Sequence, residues 1–215
     1  MVTIFGGLTM NVKLAGEVLT LLPERAILWE KEKTLILSDL HLGKAGHFRK
    51  HGIPVSRKIH LNDLRILESL IKKHVPRKIL LLGDLFHSFE NNEWQDFLTF
   101  LEIFDAIDFT LVEGNHDILS EYPPSLFTTP KLETGPFSFT HDRMSSELYN
   151  ISGHIHPGVL VRGKGRQSIT MPCFYFASDF GVLPAFGQFT GIKKIKPKEG
   201  DRVYGIAESE VIELT

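Results

Sequence analysis

Five short apolar stretches in this sequence each end in a small residue that precedes a side chain able to bind a metal ion. The five side chains are those of Asp39, Asp84, Asn115, His141 and His154. Functional groups of open α/β sheets collect beyond the carboxyl ends of the strands, so positions far apart in sequence can meet in space. The recurrence therefore predicts a two-metal hydrolytic centre.

Two of these ligands are followed two residues later by another, His41 after Asp39 and His156 after His154. In an extended chain, residues i and i+2 point to the same face, so each pair is expected to clasp one ion. Carboxylate, imidazole and amide ligands without thiolate favour Mn²⁺, with Zn²⁺ or Fe as alternatives. These ligands can hold two ions if one carboxylate binds both of them, and Asp84 is the candidate for this bridging ligand. The full ligand set is Asp39, His41, Asp84, Asn115, His141, His154 and His156.

Glycine directly precedes three of the ligands, at Gly83, Gly114 and Gly153. A residue without Cβ permits a tight turn and a close approach of the backbone to a metal or phosphate. His116, next to Asn115, is the candidate that protonates the leaving oxygen or stabilises charge on the phosphoryl group. A lone Asp-x-His or His-x-His is usually structural, so the prediction rests on the joint occurrence of the motifs.

The elements that must position these residues follow from hydrophobic periodicity. Apolar spacing predicts one helix over residues 56–75, with Ser56 as N-cap and Pro76 after its end, and a second over residues 92–106. Both lie between strand-like blocks, so the first two intervals between ligands are expected to be right-handed βαβ crossovers. Residues 11–37 and the segment after Phe137 are expected to form closely spaced strands.

The composition is that of an ordinary globular protein, with 215 residues of which 42% are apolar and 23% charged. The formal charge of −2 neither favours nor excludes a polyanionic partner. The lone Cys173 excludes an intramolecular disulfide framework, which indicates a reducing compartment. No apolar run approaches the roughly 20 residues of a membrane helix and no signal-peptide pattern precedes the first strand. The expectation is a cytoplasmic protein without a membrane partner.

The metal motifs, in their order along the chain, resemble those of the calcineurin-like metallophosphoesterase superfamily. The resemblance implies an α/β fold, a four-layer α/β/β/α sandwich of two mixed sheets flanked by helices, as a single domain over residues 1–215. It also implies a catalytic role for His116. One ion would bind Asp39, His41, Asp84 and His156, and the other would bind Asp84, Asn115, His141 and His154.

The second motif, Gly-Asp-Leu-Phe-His, resembles that of DNA double-strand-break repair nucleases in the superfamily, which makes His87 a second catalytic candidate. A narrower resemblance, to the bacterial DNA-ligase-associated metallophosphoesterases, extends over most of the chain. It implies a link to DNA repair and to a DNA ligase and helicase. Ser56 and Ile192 depart from that family's pattern. The matching segments are residues 22–26, 38–45, 48–49, 52–55, 83–88 and 184–191.

A basic segment from residue 44 to residue 60, without Asp or Glu, directly follows the first metal motif. Contacts from Lys and Arg to phosphates supply much of nucleic-acid affinity, and Lys44 and Arg49 are the candidates. The alternative is a solvated basic loop. The Phe-rich segment of residues 174–189 is able to stack bases, but dense aromatics favour the core for most of these side chains.

These residues support three functional hypotheses. The first is a metal-dependent phosphodiesterase, a DNA endonuclease in which two ions generate hydroxide for in-line attack while His116 assists the leaving group. The second is a small-molecule phosphoesterase that acts on a nucleotide or a pyrophosphate-linked substrate. The third is a binding scaffold of the same fold without catalysis, against which the complete ligand set and His116 argue.

Overall fold

A computed structural model describes residues 8–44, 58–86, 92–117, 121–163, 165 and 167–214 of the chain. Two mixed β-sheets pack face to face, and two α-helices with described bounds cover one of them. The expected pair of mixed sheets is confirmed, and within the described residues the helices lie against the first sheet. No helix in the described part of the chain is long and apolar enough to cross a membrane.

In the part of the chain that the structure describes, the first sheet contains seven strands, which lie side by side in their order along the chain. Neighbours are antiparallel from β1 to β4 and parallel from β4 to β7. The strands predicted over residues 11–37 are therefore present. The bounds are β1 Met10–Leu14, β2 Glu17–Leu22, β3 Ala26–Trp29, β4 Thr34–Leu37, β5 Lys78–Leu82, β6 Asp108–Val112 and β7 Leu126–Thr129, with a 3₁₀ turn over Glu30–Glu32.

Two helices connect the parallel strands, α1 (Lys58–His74) between β4 and β5 and α2 (Asn92–Ile103) between β5 and β6. Both agree with the predicted helices, although the predicted N-cap Ser56 lies outside the described residues. Val75, at φ 45°, leaves the helical conformation directly before Pro76. Their apolar faces, which include the fully buried Leu67 and Phe97, pack on the outer face of the first sheet. Each helix therefore connects two parallel neighbouring strands, as predicted for the crossovers. Because β4, β5 and β6 run in the same direction, they end at a common edge of the sheet.

Among the described residues the second sheet contains nine strands, most of them in the segment after Phe137 where closely spaced strands were expected. Its main path runs β14-β11-β12-β13-β10-β9-β8, and β15 and β16 extend from β12. Parallel pairing of β9, β10 and β13 brings the ends of β9 and β10 side by side. The bounds are β8 Leu132–Thr134, β9 Phe137–Phe139, β10 Tyr149–Ser152, β11 Pro157–Arg162, β12 Ser168–Phe176, β13 Phe180–Val182, β14 Lys193–Lys194, β15 Arg202–Ala207 and β16 Glu210–Glu213.

An aromatic core fills the space between the two sheets. Trp29 of the first sheet meets Phe137 of the second edge to face, with ring centroids 5.1 Å apart. Phe174 and Phe176 are fully buried in the same cluster, so the expectation that most of the Phe-rich segment is core is confirmed. Phe189, by contrast, is 37% exposed. The two sheets are thus locked together with their ligand-bearing edges adjacent.

Candidate metal centre

All five apolar stretches that precede a predicted ligand form strands, namely β4, β5, β6, β9 and β10. Backbone hydrogen bonds join the loops beyond their ends. Asp39 donates its N–H to the carbonyl of Gly83 at 3.1 Å, and Gly153 donates to the carbonyl of His141 at 2.9 Å. Between the sheets, the N–H of His154 donates to Oδ2 of Asp39 at 3.0 Å. The strand ends of both sheets therefore form one continuous site.

A first cluster consists of Asp39, His41 and His156, whose donor atoms all lie within 4.8 Å of one another. Nε2 of His156 is 3.3 Å from Oδ1 of Asp39. The Nε2 atoms of His41 and His156 face each other at 3.3 Å. Three donors that converge in this way can hold one cation.

A second cluster consists of Asp84, His141 and His154, also within 4.8 Å of one another. Nε2 of His141 is 3.3 Å from Oδ1 of Asp84. Nδ1 of His154 is 3.0 Å from the same nitrogen of His141. This cluster repeats the carboxylate and two imidazoles of the first.

The Asp84 carboxylate lies between the two clusters. Its Oδ1 faces His141, whereas its Oδ2 is 3.8 Å from Nε2 of His41 in the first cluster. A carboxylate with one oxygen toward each cluster has the arrangement that a bridging ligand requires. The geometry fits the position that the sequence assigned to Asp84.

Two of the imidazoles are oriented by backbone carbonyls. Nδ1 of His141 is 3.0 Å from the carbonyl oxygen of Leu82, and Nδ1 of His156 is 3.2 Å from that of Gly191. A ring N–H donated to a carbonyl fixes the tautomer and leaves the other nitrogen free to bind a metal. In both residues that other nitrogen, Nε2, points into its cluster.

The backbone at the ligands is not extended, because five of them lie in the left-handed region of φ. The premise that i and i+2 ligands share a face of an extended chain is therefore wrong. Asp39 and His41 do share a cluster, but His154 and His156 fall into different ones. Non-glycine residues at positive φ cost about 1 kcal/mol or more and concentrate at functional sites. The φ values are 54° for Asp39, 49° for His41, 48° for Asp84, 67° for His154 and 49° for His156.

Glycines before the ligands allow the two clusters to approach each other. A Cβ on Gly83, which has a φ of 75°, would overlap the imidazole ring of His141. A Cβ on Gly153 would lie 2.5 Å from Oδ2 of Asp39. Each glycine thus makes room for a ligand side chain from another strand, whereas the expectation from the sequence was that the glycines let the backbone approach a metal or phosphate.

The polar atoms of the site fit divalent cations. Oδ1 of Asp39 is buried and accepts no hydrogen bond within the described residues. A buried carboxylate oxygen without a hydrogen bond is costly unless a cation compensates it. Two carboxylates and four imidazoles without thiolate suit Mn²⁺, Zn²⁺ or Fe.

His116 and Asn115 occupy the exposed turn after β6. The N–H of His116 donates to Oδ1 of Asp84 at 3.0 Å, and its ring centroid is 5.9 Å from that of His41. Asn115 precedes it and is exposed as well. The structure therefore places the predicted acid directly beside both clusters.

Asp117 holds that turn against the loop after β5. Its carboxylate accepts the N–H of Gly114 at 2.9 Å and that of Phe86 at 3.2 Å. Burial raises the pKa of Asp117 to about 6, although these two hydrogen bonds act in the opposite direction. Asp117 was not among the site residues predicted from the sequence.

Lys44 is half-buried at the end of the first ligand loop. Burial lowers its pKa, and the charges of Asp84 and Asp39 act in the opposite direction. The other two predicted residues, Arg49 and His87, lie outside the described residues.

The sequence profile of calcineurin-like phosphoesterases matches residues 32–201, which include every predicted ligand. This chain belongs to the calcineurin-like phosphoesterase family. Its α/β fold of two mixed sheets and its assignment as a hydrolase that acts on phosphoester bonds are thereby confirmed. Family members use a dinuclear metal centre, to which the two clusters correspond.

Among solved structures, this phosphoesterase is similar to the nuclease MPE of Pseudomonas putida, with a TM-score of 0.82 and 26% identity over 96% of this chain and 100% of that one. A phosphoesterase from E. coli, Yfce, matches at 13% identity and a TM-score of 0.42, with 84% and 97% of the two chains covered. A predicted phosphoesterase of Streptococcus pneumoniae matches at 15% identity and 0.34, with 83% and 84% covered. No curated protein matches the chain in sequence.

Sequence reasoning missed the part of the phosphoesterase that follows β13. Phe186 and Gly187 donate their N–H groups to the carbonyls of Ser38 and Asp39, and Gly191 accepts from His156. The segment makes these contacts with its own main-chain atoms, so no pattern of its side chains could reveal them. Only the resemblance in residues 184–191 marked this segment as distinctive.

Proposed function

We propose that this protein is a metal-dependent phosphodiesterase that cleaves DNA. The observation that carries the proposal is the Asp84 carboxylate, which turns one oxygen toward each of two carboxylate and imidazole clusters. His116 adds a protonatable ring beside them. This arrangement supports hydrolysis of a phosphate ester.

The proposed ligands of one ion are Asp39, His41, Asp84 and His156, and those of the other are Asp84, Asn115, His141 and His154. When bound there, two divalent ions supply a nucleophile at neutral pH and neutralise the charge of the phosphoryl group. His141 and His156 are held by backbone carbonyls so that Nε2 points inward. Asp39 and Asp84 provide the negative charge that retains the cations.

In the proposed reaction, His116 donates a proton to the oxygen that leaves the phosphorus. Its main chain is fixed to Asp84, while its side chain is exposed to an incoming substrate. Lys44, half-buried at the end of the first ligand loop, is the proposed contact for a non-bridging phosphate oxygen. We retain His87 as a second catalytic candidate and Arg49 as a second phosphate contact on the basis of the sequence.

The nuclease neighbour supports a phosphodiester over a phosphomonoester substrate. That protein, described as a nuclease, aligns with nearly the whole chain at 26% identity. The Gly-Asp-Leu-Phe-His motif, where monoesterases often have Asp-Arg, points the same way. We further propose that the protein binds Mn²⁺ and acts in DNA repair in the cytoplasm. Its proposed partners there are a DNA ligase and a helicase.

The direct test compares Mn²⁺-dependent hydrolysis of bis-p-nitrophenyl phosphate and of p-nitrophenyl phosphate, repeated with Zn²⁺ and Fe²⁺. The proposal expects preference for the diester and cleavage of at least one of single-stranded, nicked and duplex DNA. An Asp84→Asn variant controls for contaminating nuclease. Preference for the monoester would support the small-molecule alternative, and inactivity with every metal would support the scaffold.

A further inference from the structure

Strand β14 begins beside the metal ligand His156. Lys193 donates its N–H to the carbonyl of His156 at 3.0 Å, and Ile195 donates to the carbonyl of Gly158 at 2.9 Å. The strand then runs parallel to β11 and forms the edge of the second sheet. The chain from Lys193 onward therefore leads away from the first cluster along this edge.

This edge is strongly basic. Four lysines fall between residues 193 and 198, and no Asp or Glu occurs from residue 180 to residue 198. Lys193, Lys194 and Lys196 are all exposed, and none forms an ion pair with another described residue. A surface of uncompensated positive charge beside a phosphoesterase centre attracts a polyanion.

We propose that Lys193, Lys194 and Lys196 bind the phosphates of the nucleic-acid strand next to the phosphodiester being cleaved. This inference rests on the proposed function and extends it to residues outside the metal motifs. The exposed Ile192 and Phe189 adjoin the lysines in sequence and offer apolar contact to bases. The basic edge, defined as residues 193–196, would thus select long substrates over small diesters.

Lysines on an edge strand also prevent unwanted pairing with another chain. Protection of an edge requires only that the strand itself be charged. Here Lys196 and Lys198 extend the positive charge beyond β14. The first lysine, Lys193, is hydrogen-bonded to the main chain of the metal ligand His156. Both features match a substrate path better than edge protection alone.

The test compares the double variant Lys193→Ala/Lys194→Ala with a matched control, Lys73→Ala/Lys78→Ala. The control also removes two positive charges. Lys73 lies near the end of α1 and Lys78 at the start of β5, and both of these ends lie away from the metal centre. For each protein, kcat/KM is measured on a single-stranded oligonucleotide and on bis-p-nitrophenyl phosphate over a range of NaCl concentrations.

For the edge variant, we expect the ratio of kcat/KM on DNA to that on the small diester to fall at least tenfold. The slope of log kcat/KM on DNA against log salt should shrink by about 1.4, since each phosphate contact contributes about 0.7 for single strands. The control should retain the ratio within twofold. Lys193→Arg/Lys194→Arg should restore both quantities, because the charge is kept.

An unchanged ratio and slope in the edge variant, or an equal loss in the control, would overturn the inference while the proposed function stands. Hydrolysis of the diester without cleavage of DNA by the wild type would also overturn it. If the wild type hydrolyses neither substrate, the proposed function fails by itself. In that case, fluorescence anisotropy with the same oligonucleotide tests DNA binding independently of hydrolysis. Equal affinity of wild type and edge variant would refute the proposed binding of DNA by the basic edge.

Discussion

The main chain of His116 is hydrogen-bonded to the side chain of Asp84, from the backbone N–H to Oδ1 at 3.0 Å. The proposed acid is therefore tied to the proposed bridging ligand by an atom that every residue except proline possesses. Removal of the imidazole leaves this bond intact. The position allows proton donation and metal binding to be separated experimentally.

His116→Ala should lower kcat for bis-p-nitrophenyl phosphate by about 10²- to 10⁴-fold, the usual contribution of a positioned proton donor. Both ions should remain bound, because the imidazole belongs to neither cluster. Steady-state kinetics and metal analysis of the same preparation provide the measurement. Loss of an ion from this variant would show that His116 is a ligand and that the assignment of the acid is wrong.

Asp84→Asn should weaken both metal sites, whereas Asp39→Asn should weaken only the first. The reason is that Asp84 presents one oxygen to each cluster, while Asp39 is grouped with His41 and His156 in the first cluster. Isothermal titration with Mn²⁺ measures the two stoichiometries. Equal behaviour of the two variants would rule out Asp84 as the bridge.

The presence of a strand before each of the five ligands was predictable because each ligand follows an apolar stretch whose period and length are those of a buried strand. The two helices were predictable as well, since their apolar stripes repeat with helical spacing between β4, β5 and β6. Convergence of the ligands followed from the common edge at which parallel strands end.

The backbone conformation of the ligands could not be predicted from the sequence. Asp and His at positive φ are uncommon, and nothing in Asp39-Leu40-His41 distinguishes such a turn from an extended strand. The separation of His154 from His156 into two clusters therefore came only from the family resemblance. The basic edge also escaped notice, because its proximity to His156 depends on pairing between β11 and β14.

Gly83→Ala should destabilise the protein by about 2 to 4 kcal/mol and weaken the second metal site. Alanine at positive φ costs about 1 kcal/mol, and its Cβ would also overlap the His141 ring. Gly16→Ala is the matched control, since Gly16 has a φ of 88° but open space around it. Urea unfolding with and without Mn²⁺ measures both effects. Equal losses in the two variants would mean that the contact with His141 is unimportant.

Lys44→Ala and Arg49→Ala should each weaken binding of single-stranded DNA and flatten its salt dependence by a slope of about 0.7. The main-chain N–H of Lys44 donates to the carbonyl of His41 at 3.2 Å, so the residue directly follows the first ligand loop. Fluorescence anisotropy at several NaCl concentrations gives the slope for each variant. Unchanged binding would mean that the segment after His41 is a solvated basic loop.

Asp63 of α1 links the helix to the segment that orients His156. Its Oδ1 accepts the N–H of Gln188 at 3.4 Å, three residues before the Gly191 carbonyl that faces the His156 ring. The side chain is buried, and burial raises its pKa to about 7, although the charge of Arg25 acts in the opposite direction. Between about pH 4 and pH 7, the Asp63 carboxyl group is therefore protonated in the folded protein and ionised in the unfolded chain.

Stability should consequently fall as the pH rises from about 4 to about 7, because the folded state binds more protons than the unfolded state in this range. Between pH 5 and pH 8 the loss attributable to Asp63 is on the order of 2 to 3 kcal/mol. Asp63→Asn should remove this part of the pH dependence, so the variant gains stability relative to wild type at pH 8. Urea unfolding of the metal-free protein at both pH values measures the difference, with Asp108→Asn as a control for loss of an exposed charge. A constant difference between wild type and Asp63→Asn across the range would show that Asp63 is ionised throughout and that Arg25 outweighs its burial.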